Sequence, residues 1–322
     1  MKQVSRRGLT VVGSVVLIGV LASGWQQVNA ARKERAEARL RTQRSAFAPT
    51  DTVEMGRMPA ELRESSGVTI SRRYPGVFWT HNDSGDEPRV YAIDATARLV
   101  ATFEVEGARA RDWEAMELGP CPGSGTPCLY LADIGDNLAG RSSVAIYIIE
   151  EPDPSAGDGE VALLGAVRFV YPDGPHNAEA LAITAEGNLV VVTRERSLTT
   201  WFFEIPAADV ATAVMSGGTL TLAAGRRLPI RPDPLVSRLV TGAAINAGGD
   251  LLAVRTYSEV YFFRWPVADP PEQVAEACFL GNAEPQGEAI AFRDDGWLVL
   301  TSEVRNGRPG YLQAVRCAGV GS

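Results

Sequence analysis

From residue 51 onward, short runs of β-branched and aromatic residues alternate with clusters of Gly, Pro and Asp, which predicts many short strands joined by turns. One apolar stretch recurs. It is clearest at 112–118 (Asp-Trp-Glu-Ala-Met-Glu-Leu), 177–183 (Asn-Ala-Glu-Ala-Leu-Ala-Ile) and 286–292 (Gln-Gly-Glu-Ala-Ile-Ala-Phe), and weaker copies stand at 65–70 and 240–245. A second apolar run follows each copy, at 77–80, 129–132, 189–193, 251–255 and 297–301. A third comes at 89–93, 144–148, 200–204, 260–264 and 310–315, and fourth strands are legible at 99–104 and 167–170. No long stretch of this body has the apolar spacing of a helix.

Repeats of this period, each made of four antiparallel strands, predict an all-β fold: a β-propeller of five blades over residues 51–318. The wide spacings around Glu179 leave six blades as the alternative. The last unit lacks a fourth strand, whereas residues 52–56 form an unpaired strand before the first. The N-terminal strand is therefore expected to close the last blade.

Aligned on its apolar residues, the recurring stretch places Ser66, Glu114, Glu179, Thr241 and Glu288 in one column. The innermost strands of a propeller line its axis, so these five side chains are expected to converge at one mouth. Carboxylates brought together repel and hold their protons unless a cation lies between them. Oxygen donors without His or Cys suit a hard cation, and calcium suits a roomy site better than magnesium. The other reading is that each Glu satisfies backbone amides in its own blade. Around the same mouth the pattern places His81, Asp133 and Glu195 as candidate acid–base groups. Arg111, His176, Arg194, Arg238 and Arg255 are candidates to hold an anionic substrate.

The oxygen-only column in a five-bladed propeller resembles the calcium-activated nucleotidases (apyrases). That resemblance implies one central calcium held by Ser66, Glu114, Glu179, Thr241 and Glu288, with Thr241 where the family has a second Ser. The sequence is also similar to uncharacterised secreted bacterial propellers that carry a Thr-His-Asn-Asp-Ser-Gly strand end, here 80–85, and an Ala-Asp-Ile-Gly-Asp-Asn segment, here 132–137.

Charge and cysteines narrow the partners. The net charge is −8, and the first 44 residues hold nine Lys/Arg against two Glu, so the rest carries −15. Such a body excludes nonspecific nucleic-acid binding. Cys121 and Cys128 bracket a short turn that a disulfide would staple, and Cys278 and Cys317 fall in predicted strands of the last repeat, where a bridge would reinforce that blade. Two pairs would fit an oxidising compartment; four buried thiols are the other reading.

At the N-terminus, Arg6-Arg7 precedes an apolar run ending near Gly24, and Val28-Asn29-Ala30 offers a cleavage site. Residues 1–30 are therefore expected to be an export signal or membrane anchor, residues 31–50 a charged stem, and the body extracytoplasmic and monomeric. Two functions follow as expectations. One is a metal-assisted hydrolase acting on a phosphate-containing anion. The other is a non-catalytic propeller that binds a ligand or protein around a structural calcium.

Overall fold

The computed structural model describes residues 47–320 except 84, 195–198, 234–236 and 282–283. The export segment and most of the stem expected before residue 50 lie outside the described residues. Among the described residues, no helix is long and apolar enough to cross a membrane.

The described chain opens with β1 (Asp51–Arg57) and then builds four-stranded blades in order. Blade 1 holds β2 (Ser65–Ile70), β3 (Val77–Asn82), β4 (Arg89–Asp94) and β5 (Leu99–Glu106). Blade 2 holds β6 (Trp113–Pro120), β7 (Pro127–Asp133), β8 (Val144–Glu150) and the long β9 (Gly159–Val170). Blade 3 begins with β10 (Ala178–Ile183), β11 (Leu189–Thr193) and β12 (Thr200–Ile205). A helix, α1 (Ala207–Ser216), and a short β13 (Thr219–Thr221) intervene before β14 (Arg226–Leu228) completes that blade. Blade 4 holds β15 (Val240–Ile245), β16 (Leu251–Thr256), β17 (Glu259–Arg264) and β18 (Cys278–Phe279). Blade 5 holds β19 (Gly287–Phe292), β20 (Leu298–Ser302) and β21 (Tyr311–Arg316), and its outer place is filled by β1, antiparallel to β21.

The inner strands β2, β6, β10, β15 and β19 each neighbour the next, and β19 returns to β2, so the ring closes with five blades. The long spacings that left room for a sixth blade are taken up inside blades 2 and 3. β9 extends to pair in parallel with β5 of blade 1, and β13 pairs in parallel with β9.

Five apolar seams, one between each pair of neighbouring blades, form the core. Alternation along each strand sends successive side chains to opposite seams, which is why every blade is apolar on both faces. Each fully buried Leu, Ile, Phe or Val contributes about 1.5–3 kcal/mol. One seam therefore outweighs the several kcal/mol that a buried carboxylate on the axis costs.

Both disulfides form. Cys121–Cys128 closes the β6–β7 turn with Cα atoms 4.9 Å apart. Cys278–Cys317 differs from expectation. Cys278 lies on β18, the outer strand of blade 4, and Cys317 follows β21, so this bridge joins blades 4 and 5 rather than reinforcing one blade.

Candidate functional site

In every inner strand the ladder register slips at the column position. The slips fall between Ser65 and Gly67, Trp113 and Ala115, Ala178 and Ala180, Val240 and Gly242, and Gly287 and Ile290. Ser66, Glu114, Glu179, Thr241 and Glu288 are thus each part of a β-bulge, the device by which a strand re-aims a side chain. The residue after the column position is always small: Gly67, Ala115, Ala180, Gly242 or Ala289. Packing requires this, since a Cβ on Gly67 would collide with the His81 ring and lie 2.6 Å from the Met116 nitrogen. A Cβ on Gly242 would lie 2.9 Å from the Glu288 carbonyl oxygen.

All five column residues are buried, but they are satisfied differently. Glu179 is fully engaged: Oε2 accepts from Arg194 Nη1 at 2.5 Å and Oε1 from Asn177 Nδ2 at 2.9 Å. Arg194 also donates to the Tyr257 hydroxyl, and its guanidinium lies 5.0 Å from that ring's centre. Glu288 Oε1 accepts from Gln286 Nε2 at 2.8 Å, and the same amide nitrogen lies 2.5 Å from Glu303 Oε2. Among the described residues, Glu288 Oε2 and Thr241 Oγ1 are buried without a hydrogen-bond partner, while Ser66 Oγ donates to the Glu114 carbonyl at 3.2 Å.

Glu114 has different company. One oxygen each of Asp83, Asp112 and Glu114 lie within 4.8 Å of one another. Gly135 makes room for this, because a Cβ there would collide with the carboxylates of both Asp112 and Glu114.

The electrostatics follow from these contacts. Burial raises the Glu114 carboxyl well above its usual range, and the charges acting on it most strongly, those of Glu179, Asp83 and Asp112, all push the same way. Burial lifts Glu288 to about 8; Arg194 pulls it down and Glu179 pushes it up. Burial, with Glu288, Asp83 and Glu64, lifts Glu303 to about 9. Asp112 is raised by burial and then by Glu179. The mouth is an acidic bowl in which Arg194 pairs with Glu179, able to hold protons near neutral pH or to receive a positive group.

Of the groups expected around this mouth, Arg194 is in place. Asp133 is locked in a two-pronged pair with Arg141, at 2.8 and 2.9 Å, and accepts the Asp112 N–H, so it is not poised as a base. His81 is fully buried, edge-on to Trp113, with Nδ1 2.8 Å from the Asn82 carbonyl oxygen; burial pushes it down to about 4. It cannot reach solvent to move a proton. His176 sits 2.9 Å from Asp173 and packs against Tyr171 and Phe203. Arg238 grips Glu259 at 2.5 and 3.0 Å. Arg255 is wholly buried, donating to Glu284 and to the Ala289 and Thr301 carbonyls, and braces blade 4 against blade 5. Arg111 is exposed beside Asp112, and Glu195 lies outside the described residues. Of the five groups expected to hold an anion, His176, Arg194, Arg238 and Arg255 are therefore spent in pairs with acids.

Tyr257 was not anticipated, nor was the role of the residue two before each column acid. Asn177 and Gln286 donate amides to their acids, whereas Asp112 occupies that place before Glu114. The spacing is visible in the sequence once the column is drawn.

No protein-family model and no curated protein matches this chain. Solved structures do. The PQQ-bound form of an aldose sugar dehydrogenase from Streptomyces coelicolor is 13% identical, over 83% of this chain and 99% of that one, with a TM-score of 0.46. Two structures described as glucose dehydrogenase are 14% and 13% identical over 82% of this chain and 99% of each, with TM-scores of 0.47 and 0.48. At these scores the likeness carries no argument about substrate, and the propeller rests on the strand pairing above.

Calcium as this chain's cofactor is withdrawn. The cofactor named among these structures is PQQ, and none of the three is described as a nucleotidase. Within the chain, Arg194 already supplies a positive charge to Glu179, and the Ser66 hydroxyl is turned to a carbonyl, so the five oxygens do not form one open cage. PQQ, a quinone bearing several carboxylates, does not suit this acidic mouth either.

Proposed function

We propose that this chain is an extracytoplasmic binding propeller whose axial mouth receives a basic segment of a partner protein. The observation that carries the reading is the set Asp83, Asp112 and Glu114, drawn within 4.8 Å, where the strongest charges on Glu114 are all negative. A lysine or arginine side chain entering there would relieve the repulsion and restore the ionised carboxylates. The loop after β7 supports a protein partner. Asp136 ties it down by accepting the Gly140 and Arg141 N–H groups, its own N–H donates to Asn177, and Leu138 is left 93% exposed beside the mouth. An exposed Leu on a fixed loop offers an apolar anchor next to the charged bowl. Two disulfides suit an oxidising compartment, in keeping with the export segment expected over residues 1–30.

The other reading, a hydrolase of phosphate-containing anions, needs free cations and a reachable base. Arg238 and Arg255 are paired, His81 is sealed, and Asp133 is held by Arg141. Binding therefore stands ahead of hydrolysis. Fluorescence anisotropy with a labelled Lys/Arg-rich peptide and its Asp/Glu-rich counterpart tests the sign. The basic peptide should bind, more weakly as salt rises, and the acidic one should not. Release of phosphate from a nucleotide panel, or preference for the acidic peptide, would overturn the reading.

A further inference from the structure

The inner strands end at the other mouth of the channel, where Thr69, Glu117, Ile245 and Phe292 help line a cavity of about 600 Å³. Glu117 lies on β6 and has no part in the acidic bowl. Its Oε1 accepts from the Thr69 hydroxyl at 2.8 Å and from the Leu118 N–H at 3.0 Å. Its Oε2 has no hydrogen-bond partner among the described residues. A carboxylate held so firmly by one oxygen, with the other left to a cavity, is oriented for a donor that the chain itself does not supply. Burial makes that need larger: it lifts Glu117 to about 7, eased by Leu118, Thr69 and Arg72.

Arg72 also lines the cavity, is exposed, and makes no ion pair or hydrogen bond among the described residues. Arg293, which follows β19 of the neighbouring blade, is already paired with Asp295 at 2.6 Å. One oriented carboxylate and one unspent guanidinium therefore share a cavity whose remaining wall includes Ile70, Ile245 and Phe292.

We propose that this cavity binds a free amino acid with an apolar side chain. Glu117 Oε2 takes the ammonium, Arg72 takes the carboxylate in the two-pronged manner that guanidinium favours, and the apolar wall receives the side chain. The site is independent of the acidic bowl, and neither stands or falls with the other.

The test uses the full chain and calorimetric titration with leucine, isoamylamine (leucine without its carboxylate) and 4-methylpentanoate (leucine without its ammonium). Leucine should bind, and each half-ligand should bind about tenfold more weakly or worse, as loss of a charged contact implies. Glu117→Gln and Arg72→Ala should each weaken leucine by a similar factor. Arg72 is exposed, so its variant tests the site even if Glu117→Gln fails to fold. No heat and no rise in melting temperature with millimolar leucine, phenylalanine or methionine would overturn the proposal. So would leucine binding equally to the wild type and Arg72→Ala, or isoamylamine binding as tightly as leucine.

Discussion

Glu114 and Glu179 occupy the same position of the same bulge in neighbouring blades, yet they are held in opposite ways. Glu179 has an amide from Asn177 and a guanidinium from Arg194, and both its oxygens are satisfied. Glu114 has Asp112 where Asn177 would stand, and Asp83 closes the group. One change of residue type, amide to acid, separates a settled buried carboxylate from one that needs a positive charge. The fold places the column. The residue two positions earlier decides what each member does.

The largest effect should come from removing the charge on which the settled side depends. Arg194→Ala would leave Glu179 without its counterion beside Glu288, and breaking such a pair costs about 3–5 kcal/mol when fully buried. Arg194 keeps a fifth of its side chain exposed, so the lower end is expected in denaturant unfolding at neutral pH. The loss should shrink under acid, where the abandoned acids take up protons.

Next comes Gly135→Ala, which leaves every charge in place and puts a methyl against Asp112 and Glu114. Overpacking of this kind costs about 1–3 kcal/mol. A melting temperature equal to the wild type's would mean the two carboxylates do not close over that glycine.

The pH dependence of stability sharpens the contrast further. Glu114, Glu288 and Glu303 all titrate higher in the folded protein than in the unfolded chain. Between the usual Glu value of 4.5 and about 8 or 9, the folded state holds more protons, so stability should fall as pH rises through that window. Below it the contribution is fully present. Glu303→Gln should flatten the upper part of the decline; a wild-type stability that climbs from pH 5 to pH 8 would contradict the account. The smallest effect is expected for Tyr257→Phe, which takes one hydrogen bond from Arg194 and should cost about 0.5–1.5 kcal/mol.

Much of the architecture was legible because it is local. Each inner strand needs a small residue after the bulge to let neighbouring strands approach, and that constraint wrote the recurring motif into the chain. The unpaired strand near residue 52 likewise announced closure of the last blade. What sequence could not show was pairing across distance. Arg238 with Glu259, Arg255 with Glu284 and Asp133 with Arg141 convert an expected collar of charges into braces. Helix α1 was missed because it is short, follows Pro206 without a side-chain cap, and buries only Val210 and Ala213. Cys278 was placed a blade too late, since β18 has just two residues and little strand pattern.

The central claim is that Glu114, with Asp83 and Asp112, forms a receptor for positive charge. Its most direct test is the affinity of a Lys/Arg-rich peptide for the wild type and for Glu114→Gln/Asp112→Asn at low ionic strength. The account predicts binding that weakens about tenfold or more in the double variant, with the fold intact by circular dichroism. Equal affinity for the two proteins would contradict it.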